Sequence, residues 1–120
     1  LQTAQLLTKY GVLAIGEGAN MPTDNEAIEY FINNNVLLAP AKAANAGGVA
    51  TSALEMSQNS MRYSWSYEEV DHKLKEIMVN IYKSCLMAIN EYNLGINYSA
   101  AANIAGFKKV ASAMMEQGII

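Results

Sequence analysis

Two short apolar runs, Val12-Leu13-Ala14-Ile15 and Val36-Leu37-Leu38-Ala39, flank one helix-length segment, and this spacing constrains the fold more than anything else in the chain. Neither run alternates with polar residues, as a strand with one face in water would. Both therefore predict short strands buried on both faces. Gly11 and Gly16 bound the first run, and Pro40 stops the second. Between them, Thr23-Asp24-Asn25-Glu26 reads as a capping box opening a helix to about Asn33, with Ala27, Ile28, Phe31 and Ile32 turned inward. A strand–helix–strand unit with wholly apolar strands implies a parallel pair and helices on the sheet faces. Upstream, residues 4–9 read as the end of a helix, with Gly11 as its left-handed cap.

After Pro40 the hydrophobic period becomes helical and stays so. Residues 47–61 carry Val49, Ala53, Met56 and Ser60 at helical spacing, which predicts a helix with these four on one side. Ser64-Trp65-Ser66 breaks that pattern, and Ser66 with Glu69 forms a second capping box. The helix it opens runs to about Tyr92, with Val70, Leu74, Ile77, Met78, Ile81, Cys85, Leu86 and Ile89 on one stripe. Gly95 marks its end. A last helix over residues 99–117 shows Ile104, Phe107, Ala111, Met114 and Met115, and Gly118 closes it. Met56, Met61, Met78, Met87, Met114 and Met115 read as core filler.

The chain has 120 residues, enough for about one domain. With 52% apolar residues, 16% charged and a net charge of −3, it has the composition of a soluble globular protein. No basic stripe favours nucleic acid. No apolar run approaches the roughly 18 residues of a membrane span. A single cysteine excludes an internal disulfide; Cys85 lies on an apolar stripe and reads as inert packing, in keeping with a reducing, cytoplasmic setting. The first residue is Leu1 rather than Met, and two parallel strands do not make a stable sheet by themselves. Both points predict a piece of a larger protein.

Chemistry concentrates in two places. Lys42 to Ser60 is built from small residues, the pair Gly47-Gly48 and neutral hydrogen-bonding groups, with Lys42 and Glu55 its only charges. Such a segment lets backbone approach a polar small molecule closely. The loop Gly16-Glu17-Gly18-Ala19-Asn20 lacks the third glycine of a dinucleotide fingerprint, and a turn that merely needs glycine is its plain alternative. Both segments nevertheless leave the carboxyl ends of their strands, the edge at which doubly wound sheets bind ligands, and each presents an asparagine there. Elsewhere the reading is plain. His72 has no second metal ligand near it, Ser52, Ser57 and Ser60 have no histidine partner, and Lys73, Lys75, Glu76, Lys83 and Glu91 read as an exposed helix face. Lys42 is open to pairing with an anion or to simple solvation.

Five blocks carry a resemblance over essentially the whole chain. They are Glu17-Gly18-Ala19-Asn20-Met21-Pro22-Thr23, Asn25-Glu26-Ala27, Lys42 to Val49, Glu55 to Ser60 and Ala102 to Val110. In order and spacing they resemble the hexameric glutamate dehydrogenases, most closely the small-subunit, usually NADP-linked type, and they match its C-terminal part. The resemblance implies an α/β fold: the later part of a Rossmann-like, doubly wound parallel sheet, followed by a mainly helical segment. It divides the chain into residues 1–63 of the nucleotide-binding domain and residues 64–120 returning toward a substrate domain. It implies reversible oxidative deamination of L-glutamate to 2-oxoglutarate and ammonia with NADP or NAD, in a cytoplasmic homohexamer. The family's catalytic lysine and aspartate match nothing here, so no catalytic residue and no metal ligand is expected in this chain.

Residue by residue, Asn20 matches the family asparagine beside the nicotinamide ring and ribose, and Asn45 the one near the nicotinamide and the substrate's amino-acid end. Val49 matches the residue against the substrate's methylenes, and Ser52 the serine that binds its side-chain carboxylate. Val49 and Ser52 are three apart and so share a helix face. Leucine and phenylalanine dehydrogenases, which share the fold, place an apolar residue at the position of Ser52. They remain the alternative within the superfamily, and a non-catalytic nucleotide-binding module is the alternative outside it.

Overall fold

A computed structural model describes residues 1–119. In chain order the elements are α1 (Gln2–Lys9), β1 (Ala14–Gly16), α2 (Asn25–Asn33), β2 (Leu37–Ala39), α3 (Ala41–Ala44), α4 (Ala46–Met61), α5 (Tyr67–Tyr92) and α6 (Tyr98–Glu116). The two strands pair in parallel, with Ala14 opposite Leu37, Ile15 opposite Leu38 and Gly16 opposite Ala39. The parallel strand–helix–strand unit is as the apolar runs predict. Gly11, with φ +78°, follows α1 as the left-handed cap, its N–H donating to the Thr8 carbonyl at 3.0 Å.

The start of α2 differs in detail from the expected capping box. Asp24, not Thr23, is the cap, and its Oδ1 accepts the Ala27 N–H at 2.7 Å. That hydrogen bond holds the Asp24 carboxyl below the ordinary carboxylate range. A folded-state pKa that is lowered stabilises the fold above the unfolded carboxylate pKa, and the contribution is lost as pH falls through the folded value. Wild type and Asp24→Ala should therefore differ in urea midpoint at neutral pH, and the gap should close on acidification. A gap that stayed constant through the carboxylate range would show that this cap does not titrate with folding.

Neither strand is buried on both faces within this chain. Ile15 and Leu38 turn toward α1 and α2 and pack with Ala4, Ala27, Phe31 and Val36. On the other face α3, α5 and α6 leave a cleft of 390 Å³ lined by Leu37, Ala39, Met78, Tyr82, Cys85 and Tyr98. Leu13, just before β1, is 81% exposed. The apolar runs predict burial on both faces, and the helices described here close over only one of them.

A second cluster joins α5 to α6 through Cys85, Ala88 and Ala101, with Ala43 of α3 packed against it. Small residues dominate it, which lets the two long helices approach closely. Burial pushes the Cys85 thiol up, so it stays protonated and behaves as an apolar group. The Ser66–Glu69 capping box forms in both directions, at 2.7 and 3.2 Å. Arg62 and Asn93, both left-handed, end α4 and α5.

The side of α4 that the helical spacing picks out is its exposed one. Val49 is 72% exposed, and Ala53, Met56 and Ser60 are exposed with it; the packed face is Gly47, Ala50, Leu54 and Gln58. Gly47 lies against α5, where an added Cβ would stand 3.6 Å from Met78 and 3.8 Å from Leu74. Gly48 faces open space. Met56, Met61, Met87 and Met115 are likewise exposed rather than core filler, as is Phe107. On α5, Lys73 is not a free solvated group: its ammonium sits 4.8 Å from the centre of the Trp65 ring.

Candidate functional site

β1 and β2 run in the same direction and end side by side, so the segments that follow them share one edge of the sheet. From β1 the chain enters the loop 16–22; from β2 it passes Pro40 into the single turn of α3 and on to α4. α3 is an element that periodicity over four alanine-rich residues could not show. It carries Asn45 round to face the loop, and Asn45 Nδ2 donates to Asn20 Oδ1 at 2.6 Å. The two asparagines, distant in sequence, thus form one neutral amide pair.

That pair lines an open groove of 380 Å³ together with Gly18, Ala19 and Val49. None of these residues is charged. With one N–H of Asn45 spent on Asn20, the pair still offers the Asn20 amide N–H groups, one N–H of Asn45 and free lone pairs on both oxygens. Donors and acceptors in a neutral setting suit a carboxamide or sugar hydroxyls better than a bare phosphate. Val49 adds an apolar wall.

Ser52 lies beyond the residues that line this groove, on the same exposed face of α4 as Val49. Its hydroxyl donates to the Gly48 carbonyl at 3.4 Å, a long bond that an approaching anion can readily replace. Thr51 makes the corresponding bond to Gly47 at 2.9 Å and is less free to turn. Among the described residues Lys42 reaches no carboxylate; its ammonium donates to Asn103 Oδ1 and ties α3 to α6. Among the described residues no group of three or more His, Cys, Asp or Glu side chains could hold a metal ion. His72 stands on the surface 3.5 Å from Glu76. No helix in the described residues is long and apolar enough to cross a membrane.

One residue at this edge carried no assigned role in the sequence reading. Glu17, between the two glycines of the loop, is buried, and its Oε2 accepts the Ala41 N–H at 2.6 Å. The available signal was a lone acid just after an apolar strand, opposite a proline that leaves the next backbone N–H in need of an acceptor.

A family profile described as Glutamate/Leucine/Phenylalanine/Valine dehydrogenase matches residues 1–118. A glutamate dehydrogenase of Bacteroides thetaiotaomicron is 54% identical over 117 residues, 98% of this chain and 26% of that protein. An NADP-specific glutamate dehydrogenase of Salmonella typhimurium is 53% identical over all of this chain and 27% of its own length. A crystal structure of Plasmodium falciparum glutamate dehydrogenase superposes with a TM-score of 0.93 at 52% identity, over 98% of this chain and 25% of that one. The chain thus spans about a quarter of the length of the relatives it matches. A glutamate dehydrogenase from Peptoniphilus asaccharolyticus keeps a TM-score of 0.87 at 26% identity, so the same arrangement of elements survives wide sequence change. The chain belongs to the glutamate/leucine/phenylalanine/valine dehydrogenase family.

Proposed function

We propose that this chain supplies the wall between coenzyme and substrate in an NAD(P)-dependent glutamate dehydrogenase, and that without the remainder of such an enzyme it is inactive. The observation that carries the reading is the Asn20–Asn45 pair, closed at 2.6 Å in an uncharged groove at the carboxyl ends of two parallel strands. The reaction is the reversible oxidative deamination of L-glutamate with water to 2-oxoglutarate and ammonium. The nicotinamide coenzyme, when bound, takes up the hydride lost from the substrate's α-carbon.

What this chain does is bind and orient. The amides of Asn20 and Asn45 hold the carboxamide and ribose end of the coenzyme. Val49 packs against the substrate's methylenes, and one turn on, the Ser52 hydroxyl donates to its side-chain carboxylate. A neutral donor there leaves the compensating charge to a lysine outside the chain. Residues 1–63 belong, in this reading, to the coenzyme domain, and residues 64–120 are the helical return toward the substrate domain. The parent is a cytoplasmic homohexamer. Nothing in the uncharged groove reads a 2′-phosphate, and relatives named NAD-specific and NADP-specific are about equally similar, at 54% and 53% identity. The coenzyme is accordingly NAD or NADP.

The test is a graft. This chain replaces the matching quarter of the NADP-specific glutamate dehydrogenase of Escherichia coli, to which it is 52% identical. The grafted enzyme should reduce coenzyme in the presence of L-glutamate. Asn20→Ala and Asn45→Ala should each raise the coenzyme KM by roughly 10-fold, the cost of a lost hydrogen bond in a closed site. A folded graft with no glutamate turnover would sink the reading, and so would one whose coenzyme KM ignored both substitutions.

A further inference from the structure

A buried acid with one unpaired oxygen is costly, and Glu17 is one: the residue is 6% exposed, and its Oε1 has no hydrogen-bond partner among the described residues. A loop that needed only to leave the sheet would not keep it. We propose that Glu17 is a positioning residue for the Asn20–Asn45 pair, clamping the loop after β1 to the start of α3; this rests on the coenzyme reading above.

The geometry is that of a closed ring. The Glu17 N–H donates to the Ala39 carbonyl at 3.1 Å, continuing the parallel ladder one step past β1. Opposite stands Pro40, which has no N–H to offer. The next donor along the chain is the Ala41 N–H, and the Glu17 side chain accepts it at 2.6 Å. Backbone and side chain of one residue thus straddle the proline. Two arms leave this clamp. One runs through Gly18 and Ala19 to Asn20. The other is the turn of α3, closed by the Asn45 N–H donating to the Ala41 carbonyl at 2.9 Å. The arms meet again where Asn45 donates to Asn20 at 2.6 Å.

The loop has little else to hold it there. Gly18, Ala19, Asn20 and Met21 are exposed, and a side chain added at Gly18 would meet nothing within 4 Å. Releasing the Glu17–Ala41 bond leaves the Asn20–Asn45 bond to close the gap between loop and helix by itself. The coenzyme would then have to order the pair on binding, and would bind more weakly.

Two substitutions in the grafted enzyme separate reach from the acid group itself. Glu17→Gln keeps the length and an oxygen that can accept from Ala41. Glu17→Asp keeps the carboxyl group but is one methylene too short. The coenzyme Kd, measured by calorimetry, should stay near wild type in Glu17→Gln and rise up to ~10-fold in Glu17→Asp, the weight of one lost hydrogen bond. The coenzyme KM should follow while the KM for glutamate is unchanged, and the Ala41 amide should exchange hydrogen faster only in Glu17→Asp. A wild-type Kd in Glu17→Asp, or equal loss in both variants, overturns the clamp. Asn20→Ala tells the two ideas apart. If it leaves the coenzyme Kd unchanged, the coenzyme reading itself fails and the clamp's purpose with it; if it weakens binding while Glu17→Asp does not, only the positioning role is lost.

Discussion

Ser52→Leu in the grafted enzyme is expected to lower kcat/KM for L-glutamate by on the order of 100- to 1000-fold, with norvaline turnover unchanged or improved. The two substrates share their reacting end and differ at the tip, where glutamate carries a carboxylate and norvaline a methyl group. The Ser52 hydroxyl spends its proton only on a 3.4 Å contact to Gly48, so it can turn to that carboxylate at little cost. Leucine removes the donor and sets an apolar branch against a carboxylate that keeps its lysine but loses a hydrogen bond and access to water, which costs more than losing a neutral contact. Norvaline makes no such demand. Ser52→Ala should show the same change of preference in milder form, since the space left can admit water. Because Ser52 is exposed and its side chain supports no packing, neither variant should alter the thermal midpoint appreciably. A glutamate-to-norvaline ratio that stayed at the wild-type value in both variants would remove Ser52 from the substrate site.

The parts of the fold that could be read in advance are those set by local rules. Gly11 ends α1, the Ser66–Glu69 box starts α5, and the stripe from Val70 to Ile89 turns inward, each because neighbouring residues determine the outcome. The orientation of α4 is of another kind. Its residues are mostly small, so hydrophobic contrast is weak, and Val49 and Met56 draw the apparent apolar face toward themselves. The packed face is chosen by α5 instead: Met78 and Leu74 occupy the space beside Gly47, and the rest of α4 follows that contact. The outward turn of Val49 is what places it in the groove with Asn20 and Asn45.

The site divides in the same way. That Asn20 and Asn45 leave the same sheet edge follows from strand direction alone. That their side chains bond, and that Glu17 reaches the Ala41 N–H, depends on register. Gly16 pairs with Ala39, so Glu17 falls opposite Pro40 and within reach of Ala41. A shift of one residue would move that carboxylate to the other face of the sheet. No pattern in a single sequence reports a parallel register to that accuracy.

Phe31→Ala should be the most damaging single truncation in the chain, costing about 3–5 kcal/mol by removal of a buried aromatic ring and the cavity it leaves. Phe31 is 3% exposed, the largest side chain in a cluster otherwise made of Ala4, Ala27, Val36 and Leu38. Its carbonyl also accepts the Val36 N–H at 2.9 Å, so one residue both fills the core and turns the chain from α2 into β2. The loss is a large share of the roughly 5–15 kcal/mol that a whole domain commands. Urea unfolding followed by circular dichroism measures it, and a loss below about 1 kcal/mol would mean that this cluster does not hold the sheet. The consequence for the site is one-sided. Ile15 packs on the Phe31 cluster and leads directly into Gly16 and Glu17, whereas Ala43, two residues before Asn45, packs on the separate Cys85–Ala88–Ala101 cluster. The amide pair therefore bridges two small cores, joined at this edge by the Glu17–Ala41 and Asn45–Asn20 bonds. Softening the first core should loosen Asn20 while leaving Asn45 in place, and in the grafted enzyme the coenzyme KM should rise before glutamate preference changes.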